Sequence, residues 1–205
     1  DLGMMDIVVL EENGKNLVLR NVAMEQADRL QLLGANIRKT GYISEMKSLI
    51  SELTQYHISI EDLERVTDTL EHKNALWYKL NDIVTLYRGF LDYLEGKYVT
   101  ADEVVNLLTK VAPESEMLRG SVVVLDGYTG FTPVQHAFLE ELFVLAESVQ
   151  IAVTIDERDP IYGEPDIHDL FYLSKKTIQG LCDTARRQKV EILDPVLTGR
   201  GRQKR

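Results

Sequence analysis

The stretch from Ser121 to Pro133, SVVVLDGYTGFTP, decides how the second half of the chain folds. A run of β-branched residues leads into Asp126, and a turn with two glycines and two aromatic residues follows. Such an apolar run is typical of a short buried strand. Thr132 and Gln135 match a helix capping box, with Pro133 at the first helical position. The stretch therefore predicts a strand, a turn and the start of a helix.

The residues on the carboxyl side of this stretch continue the same alternation of strands and helices. The segment VQIAVTID at 149–156 reads as a second buried strand, and a helix is predicted over 174–188. VEIL at 190–193 predicts a third strand. Parallel strands joined by helical crossovers form a sheet with helices packed on it. We therefore predict an α/β fold for this half of the chain.

The residues before about Leu118 show a helical period instead. Apolar side chains recur at three and four positions, and Ser59 and Thr100 stand where helix N-caps belong. These signals predict helices near residues 2–12, 22–38, 42–56, 60–70, 74–95 and 101–111. The predicted domains are a helical subdomain at 1–117, an α/β part at 118–197 and a disordered basic tail at 198–205.

The composition limits the classes of function. The chain has 205 residues and a formal net charge of −10 at pH 7, which disfavours a protein whose whole surface binds nucleic acid. Any nucleic-acid contact must be local. The chain has no apolar run long enough to span a membrane and a single cysteine, Cys182, so we expect a soluble intracellular protein.

Asp126 and Asp156 follow the two predicted strands, where open α/β sheets place their ligands. In nucleotide-hydrolysing sheets an acid at such a position holds magnesium, but that chemistry also needs a GxxxxGK[ST] loop and a second carboxylate. Gly14-Lys15 and Gly96-Lys97 do not fit that loop, and Gly127 follows Asp126 where an active motor carries glutamate. The four histidines lie in separate segments without metal-ligand spacing. We predict no catalytic residue and no metal site.

The aromatic turn after Asp126 is a candidate nucleic-acid contact. Tyr128, Thr129 and Phe131 lie at the predicted carboxyl edge of the sheet. An aromatic ring there can stack on an unpaired base without much positive charge. The alternative for Phe131 is that its ring packs beneath the following helix.

Three blocks of this sequence resemble the AddB (RexB) family, the B subunits of bacterial helicase-nucleases. They are LDGYTGFTP at 125–133, YLEGKYVTADE at 93–103 and DLFY at 169–172, which is followed by Thr177. The resemblance implies that this chain covers the end of a RecA-like helicase domain and a helical insertion before it. It places Asp126 at the position of the helicase Walker B acid, as a relic in a module that has lost motor function.

The same resemblance implies the biological setting. The family's complex processes DNA double-strand breaks for recombination, with an AddA-type motor subunit as partner and a response to a hotspot sequence in DNA. Magnesium and a 4Fe-4S cluster belong to the family but are expected outside these residues, and the location implied is the bacterial cytoplasm. The segment itself is then a scaffold and DNA-channel element. An active P-loop ATPase and a plain protein-interaction domain are the alternatives.

Overall fold

The chain divides into two compact units, Asp1–Lys110 and Val111–Arg205. The computed structural model describes residues 8–37, 39–70, 74–156 and 158–197. Each unit combines helices with a two-stranded parallel sheet, so the structure is α/β, as predicted. The basic tail predicted at 198–205 lies outside the described residues. Within the described ranges, no helix has both the length and the hydrophobicity needed to cross a lipid bilayer.

The first unit is mainly helical. Its sheet pairs β1 (Val8–Leu10) in parallel with β2 (Tyr98–Thr100). Helices predicted near 42–56, 60–70, 74–95 and 101–111 are confirmed, because the structure has α2 (Thr40–Gln55), α3 (Ile60–Asp68), α4 (Ala75–Leu94) and α5 (Ala101–Val111). The N-cap predicted at Ser59 is also confirmed, as part of a capping box with Asp62.

Two predicted helices of this unit are wrong. Where a helix was expected over 2–12, residues 8–10 form β1 and α1 begins at Glu12; residues 1–7 lie outside the described residues. Where one was expected over 22–38, α1 ends at Glu25 and two short 3-10 turns follow, Ala27–Arg29 and Gly34–Asn36. In both places a partner that is distant in sequence binds the backbone, and a local period does not reveal such a partner.

The partner in the second case is Asp82 on α4, which is only 1% exposed. Its Oδ1 accepts the backbone N–H of Gln31 at 2.9 Å, and its Oδ2 accepts those of Leu32 at 2.8 Å and Leu33 at 2.7 Å. Burial of its phenol, together with the nearby charge of Asp82, raises the pKa of Tyr42 to about 12. The segment after α1 is therefore fixed to α4 by its own amides, which a continuous helix would have used internally.

A second polar cluster joins three helices of the first unit. The buried ammonium group of Lys15 on α1 lies 2.6 Å from Oδ2 of Asp102 on α5, 3.1 Å from Oε1 of Glu12 and 3.3 Å from Oγ of Ser51 on α2. Gln55 donates to Oδ1 of Asp102 at 2.9 Å. Burial alone lowers the pKa of Lys15, but the bonds to Asp102 and Glu12 outweigh this and raise it. Lys15 therefore stays charged and links α1 to α2 and α5.

Apolar side chains from α1, α2 and α4 form the core around these polar groups. The most buried members include Leu19, Val22, Ile50, Leu86 and Phe90.

The second unit contains the strand, helix, strand pattern that the sequence predicts. β3 (Val122–Leu125) pairs in parallel with β4 (Ser148–Ile151), and α6 (Pro133–Leu145) connects them. The helix predicted over 174–188 is confirmed as α7 (Tyr172–Arg187). Leu139 and Leu142 of α6 and Leu181 of α7 form the centre of the core of this unit, and the strands contribute Val123, Leu125, Val149 and Ile151.

Three details of the strand prediction are wrong. Residues 190–193, predicted as a third strand, form no strand, and β4 ends at Ile151 rather than continuing over the predicted residues 149–156. β3 is also not buried on both faces, because Val122 and Val124 are exposed while Val123 packs on the core. Within the described residues only one face of this sheet is covered by helices, and an alternating pattern of burial results.

Replacing Asp82 tests whether its three hydrogen bonds hold the first unit together. Asp82→Ala leaves three backbone N–H groups without this acceptor, and bonds to a charged group contribute about 1.5–3 kcal/mol each. We expect a loss of at least about 3 kcal/mol in the free energy of unfolding, measured by urea denaturation. Asp92→Ala changes an exposed aspartate of the same helix and is the matched control. Equal losses in the two variants would contradict the assignment.

The pH dependence of stability tests the cluster around Lys15. Burial by itself raises the pKa of Asp102, but hydrogen bonds from Lys15 and Gln55 outweigh it and hold the pKa below its usual value. A carboxyl group with a lowered folded-state pKa stabilises the fold fully above its unfolded pKa, about 3.9, and this stabilisation is lost as the pH falls through the folded value. We expect Asp102→Asn to flatten the fall in stability below about pH 4 in urea titrations. An unchanged slope would show that Asp102 does not contribute.

Candidate nucleic-acid interface

The candidate site is the turn of residues 126–131, which connects β3 to α6. β3 ends at Leu125, whose carbonyl still accepts the N–H of Ala152 at 2.9 Å. α6 begins at Pro133 with a capping box, in which Thr132 Oγ1 accepts the Gln135 N–H and Gln135 Oε1 accepts the Thr132 N–H. The capping box and first-turn proline that the sequence predicts are confirmed. Both ends of the turn are therefore fixed by secondary structure.

Asp126 is an exposed residue at the start of the turn, and its side chain accepts a hydrogen bond from the backbone of the turn. Its Oδ1 accepts the backbone N–H of Gly127 at 2.8 Å. Gly127 has φ of +80°, a conformation that favours glycine because a Cβ atom would be strained there. Gly130, the other glycine of the turn, has no positive φ, so only Gly127 has a backbone conformation that requires glycine. These contacts are those of a strand-end and turn residue.

Tyr128 and Phe131 form a stacked pair across the turn. Their ring centroids lie 5.0 Å apart with an interplanar angle of 23°. The ring of Phe131 also meets His136 edge to face, at 5.8 Å and 74°. Burial lowers the pKa of His136, so that imidazole is neutral at physiological pH. The three rings therefore form one uncharged aromatic row from the turn to α6, called the ring stack below, in which only Tyr128 and Phe131 stack face to face.

The two aromatic side chains of the turn differ in exposure. Tyr128 is 41% exposed, whereas Phe131 is half-buried and packs against the core cluster of Leu139, Leu142 and Leu181. The structure therefore supports the packing alternative for Phe131 and leaves the outer face of Tyr128 available. A ring held from behind by a second ring loses little further freedom when a base stacks on its outer face.

Thr129 contacts the rest of the unit through its backbone carbonyl. The hydroxyl of Thr177 on α7 lies 3.2 Å from that oxygen. The sequence analysis did not assign this role to Thr177, which lies 48 residues further along the chain. No motif signals such a contact, because a threonine within a helix has a local acceptor four residues before it.

The turn has little positive charge. Residues 126–131, DGYTGF, include no lysine or arginine and one aspartate. Neutralisation of phosphate groups is therefore not the chemistry that this turn offers. Its exposed ring offers stacking and apolar contact instead.

The structure does not give Asp156 the predicted position at the end of a strand. It lies five residues beyond β4, and its carboxylate accepts hydrogen bonds from the backbone and guanidinium of Arg158, at 2.7 Å for the shortest. Within the described ranges, no group of three or more His, Cys, Asp or Glu side chains is arranged to hold a metal ion. His72 lies outside these ranges.

The DLFY block at 169–172 leads into α7 and is fixed to it by Lys175. This buried lysine donates a hydrogen bond to Oδ2 of Asp169 at 2.8 Å and lies 3.7 Å from Oδ2 of Asp159. The bond from Lys175 holds the pKa of Asp169 below its usual value. The start of α7, and with it the position of Thr177, is therefore set by an ion pair with the preceding segment.

Comparisons with known proteins show which proteins this chain is similar to. The family model described as "ADDB, N-terminal" matches residues 1–205. A relative from Lachnoclostridium phytofermentans is 41% identical over 197 residues, which are 96% of this chain and 17% of the relative. A relative from Desulforamulus reducens is 28% identical over 93% of this chain and 17% of its own length. A relative from Alkaliphilus oremlandii is 30% identical over 93% of this chain and 16% of its own length.

All three relatives are named as the B subunit of an ATP-dependent helicase/deoxyribonuclease. The chain spans 16–17% of their length. The resemblance that the motifs indicate is thus confirmed, and the chain belongs to the AddB family, whose amino-terminal model it matches throughout.

Proposed function

We propose that this chain is a segment of the B subunit of an ATP-dependent helicase/deoxyribonuclease that processes DNA double-strand breaks for recombinational repair. In this proposal the segment is a scaffold and one wall of a DNA channel, without catalytic activity of its own. The observation that carries it is the uncharged stack of Tyr128, Phe131 and His136 at the carboxyl edge of a parallel sheet. Open α/β sheets bind their ligands at this edge.

The second unit is proposed to be part of a RecA-like domain. The parallel β3–α6–β4 arrangement with an acid directly after β3 supports this. Asp126 then corresponds to a Walker B acid that survives as a relic. Its Oδ1 is occupied by the Gly127 amide, and Gly127 supplies no second carboxylate, so the turn lacks the groups that magnesium-dependent hydrolysis needs.

The contact with DNA is proposed to be stacking of an unpaired base on Tyr128. Such stacking is sequence-tolerant and contributes about 1–3 kcal/mol per base. It also suits a chain with a net charge of −10, since it does not depend on neutralising phosphates. Thr129, the next residue along the chain, is exposed and is a second contact candidate, whereas the packing of Phe131 makes that residue a support for Tyr128.

The remaining parts of the proposal concern the complex. A relative named as a B subunit implies at least one partner subunit, and we assign to that partner, of AddA type, the motor activity. Magnesium and a 4Fe-4S cluster are assigned to parts of the complex outside this chain. The proposed location is the bacterial cytoplasm, with no membrane contact.

Two other functions make different predictions. An active P-loop ATPase requires a phosphate-binding loop, and residues 1–205 contain no GxxxxGK[ST] sequence. A plain protein-interaction domain is favoured by the exposed apolar side chains Val122, Val124 and Leu170. In the DNA-channel proposal, the exposed ring of Tyr128, which stacks on Phe131, is the surface that binds a base.

Tyr128→Ala and Phe131→Ala separate a DNA contact from a core residue. In the assembled helicase/deoxyribonuclease, Tyr128→Ala should raise the Kd for single-stranded DNA by about 5- to 150-fold, because a stacking energy of about 1–3 kcal/mol is lost. It should leave the melting temperature nearly unchanged. Phe131→Ala should instead lower the free energy of unfolding by about 2–3 kcal/mol, since this half-buried ring fills part of the core.

Tyr162→Ala is the matched control for the DNA measurement. Tyr162 is an exposed tyrosine of the same unit and lies outside the turn. Fluorescence anisotropy with a labelled oligonucleotide gives the Kd of all three variants. The stacking proposal fails when Tyr128→Ala binds DNA as tightly as Tyr162→Ala does.

An assay of the isolated chain distinguishes the scaffold from the ATPase alternative. We expect no hydrolysis of ATP and no cleavage of DNA in the presence of magnesium, because Gly127 replaces the second carboxylate and no phosphate-binding loop is present in residues 1–205. Phosphate release and gel analysis of linear DNA measure the two activities. Magnesium-dependent turnover that Asp126→Ala abolishes would establish the ATPase instead.

A further inference from the structure

Thr177 is a buried residue of α7, 8% exposed, whose hydroxyl lies between two backbone carbonyls. One is the carbonyl of Leu173, four residues earlier in the helix, at 2.8 Å. The other is the carbonyl of Thr129 in the aromatic turn, at 3.2 Å. A hydroxyl group has a single proton, which is shared between these two acceptors. Thr177 thus joins α7 to the turn.

Few other hydrogen bonds hold the backbone of the turn at residues 127–131. Among the described residues, no backbone–backbone hydrogen bond involves this stretch, and Thr177 is the side chain outside the turn that donates to one of its carbonyls. Gly130 approaches the same hydroxyl, since a Cβ atom added there would lie 3.6 Å from Oγ1 of Thr177. Thr177 is therefore the described side chain outside the turn that fixes the backbone in its middle by a hydrogen bond, in addition to the packing of Phe131.

The same face of α7 also supports the other end of the ring stack. A Cβ atom added at Gly180 would lie 3.4 Å from Cε1 of His136, whose ring contacts Phe131. Residues three apart in a helix lie on one face, so Thr177 and Gly180 form a continuous surface beneath the turn and the stack. The backbone of the turn and the rings that it carries are held by one helix face.

We propose that Thr177 is a positioning residue, which fixes the aromatic turn so that the outer face of Tyr128 is presented to a base. This inference rests on the proposed function of Tyr128. Stacking needs a ring with a defined orientation, and each orientation that must be lost on binding weakens affinity. A turn fixed by Thr177 has lost this freedom before DNA arrives.

The first test observes the turn without DNA. Fluorotyrosine placed at position 128 reports the ring of Phe131 through its ¹⁹F chemical shift, because the two rings stack. We expect Thr177→Val, which keeps the shape of the side chain and removes the hydroxyl, to move this resonance toward the value of an unstacked tyrosine. Thr177→Ser should restore it. Thr184→Val, at a more deeply buried threonine of α7 whose hydroxyl contacts Arg187, should leave the resonance unchanged.

The second test measures DNA binding by the assembled helicase/deoxyribonuclease. Loss of one hydrogen bond of about 1 kcal/mol should raise the Kd of Thr177→Val for a single-stranded oligonucleotide roughly fivefold. Thr177→Ser and Thr184→Val should bind like the parent protein. Should Thr177→Val fail to fold, Thr177→Ala takes its place with the same readouts.

The outcomes separate this inference from the proposed function. An unchanged ¹⁹F resonance in Thr177→Val overturns the positioning role, whatever the affinity for DNA. Normal DNA binding by Thr177→Val, with binding weakened by Tyr128→Ala, overturns the positioning role and keeps the function. If Tyr128→Ala itself has no effect on DNA binding, the proposed function fails and the role of Thr177 in presenting a base-stacking surface fails with it.

Discussion

The parallel pairing of β3 with β4 fixes the place from which the aromatic turn leaves the sheet. The ladder is intact up to Leu125, which pairs with Ile151, and the next residue begins the turn. Parallel strands cannot be joined by a hairpin, so the chain must pass from this edge into a crossover helix. The turn is consequently held between a strand end and the capped start of α6, while its own backbone groups take no part in either element. A segment with these properties can carry side chains to the edge of the sheet without disturbing the core.

The sequence predicts the fold well where hydrogen bonds are local and poorly where they are not. The helical period over residues 42–95 is correct for α2, α3 and α4, since their backbone groups bond within each helix. The helix predicted from apolar spacing over residues 22–38 is wrong after Glu25, where the amides of residues 31–33 bond to Asp82, about fifty residues later. The helix predicted over residues 2–12 is wrong at β1, whose partner β2 is ninety residues away. An aspartate within an amphipathic helix gives no sign that it is buried, so neither the 3-10 turns nor their cause could be predicted.

The candidate site also has features that the sequence predicts and features that depend on contacts distant in sequence. The spacing of Tyr128 and Phe131 within one glycine-containing turn is readable in the sequence, and so is the helix start that follows it. The supports are not readable, because His136 and Thr177 reach the turn only through the packing of α6 and α7. A threonine in a helix satisfies itself with the carbonyl four residues before, and Thr177 does so as well. Its second acceptor, the Thr129 carbonyl, exists only in the folded unit.

The chemistry that the turn can perform depends on which of its groups already have hydrogen-bond partners. A metal-holding acid needs oxygen atoms directed at an ion and a second acid nearby, whereas Asp126 uses Oδ1 on the adjacent amide and is followed by glycine. The exposed aromatic surface at this edge is the outer face of Tyr128. A base stacked there gains contact without any change in charge, and the surrounding acidic chain would weaken a contact that depended on phosphate. Because stacking discriminates little between bases, its strength depends on how firmly the ring is held, and this makes the supporting helix as important to the proposed contact as the ring itself.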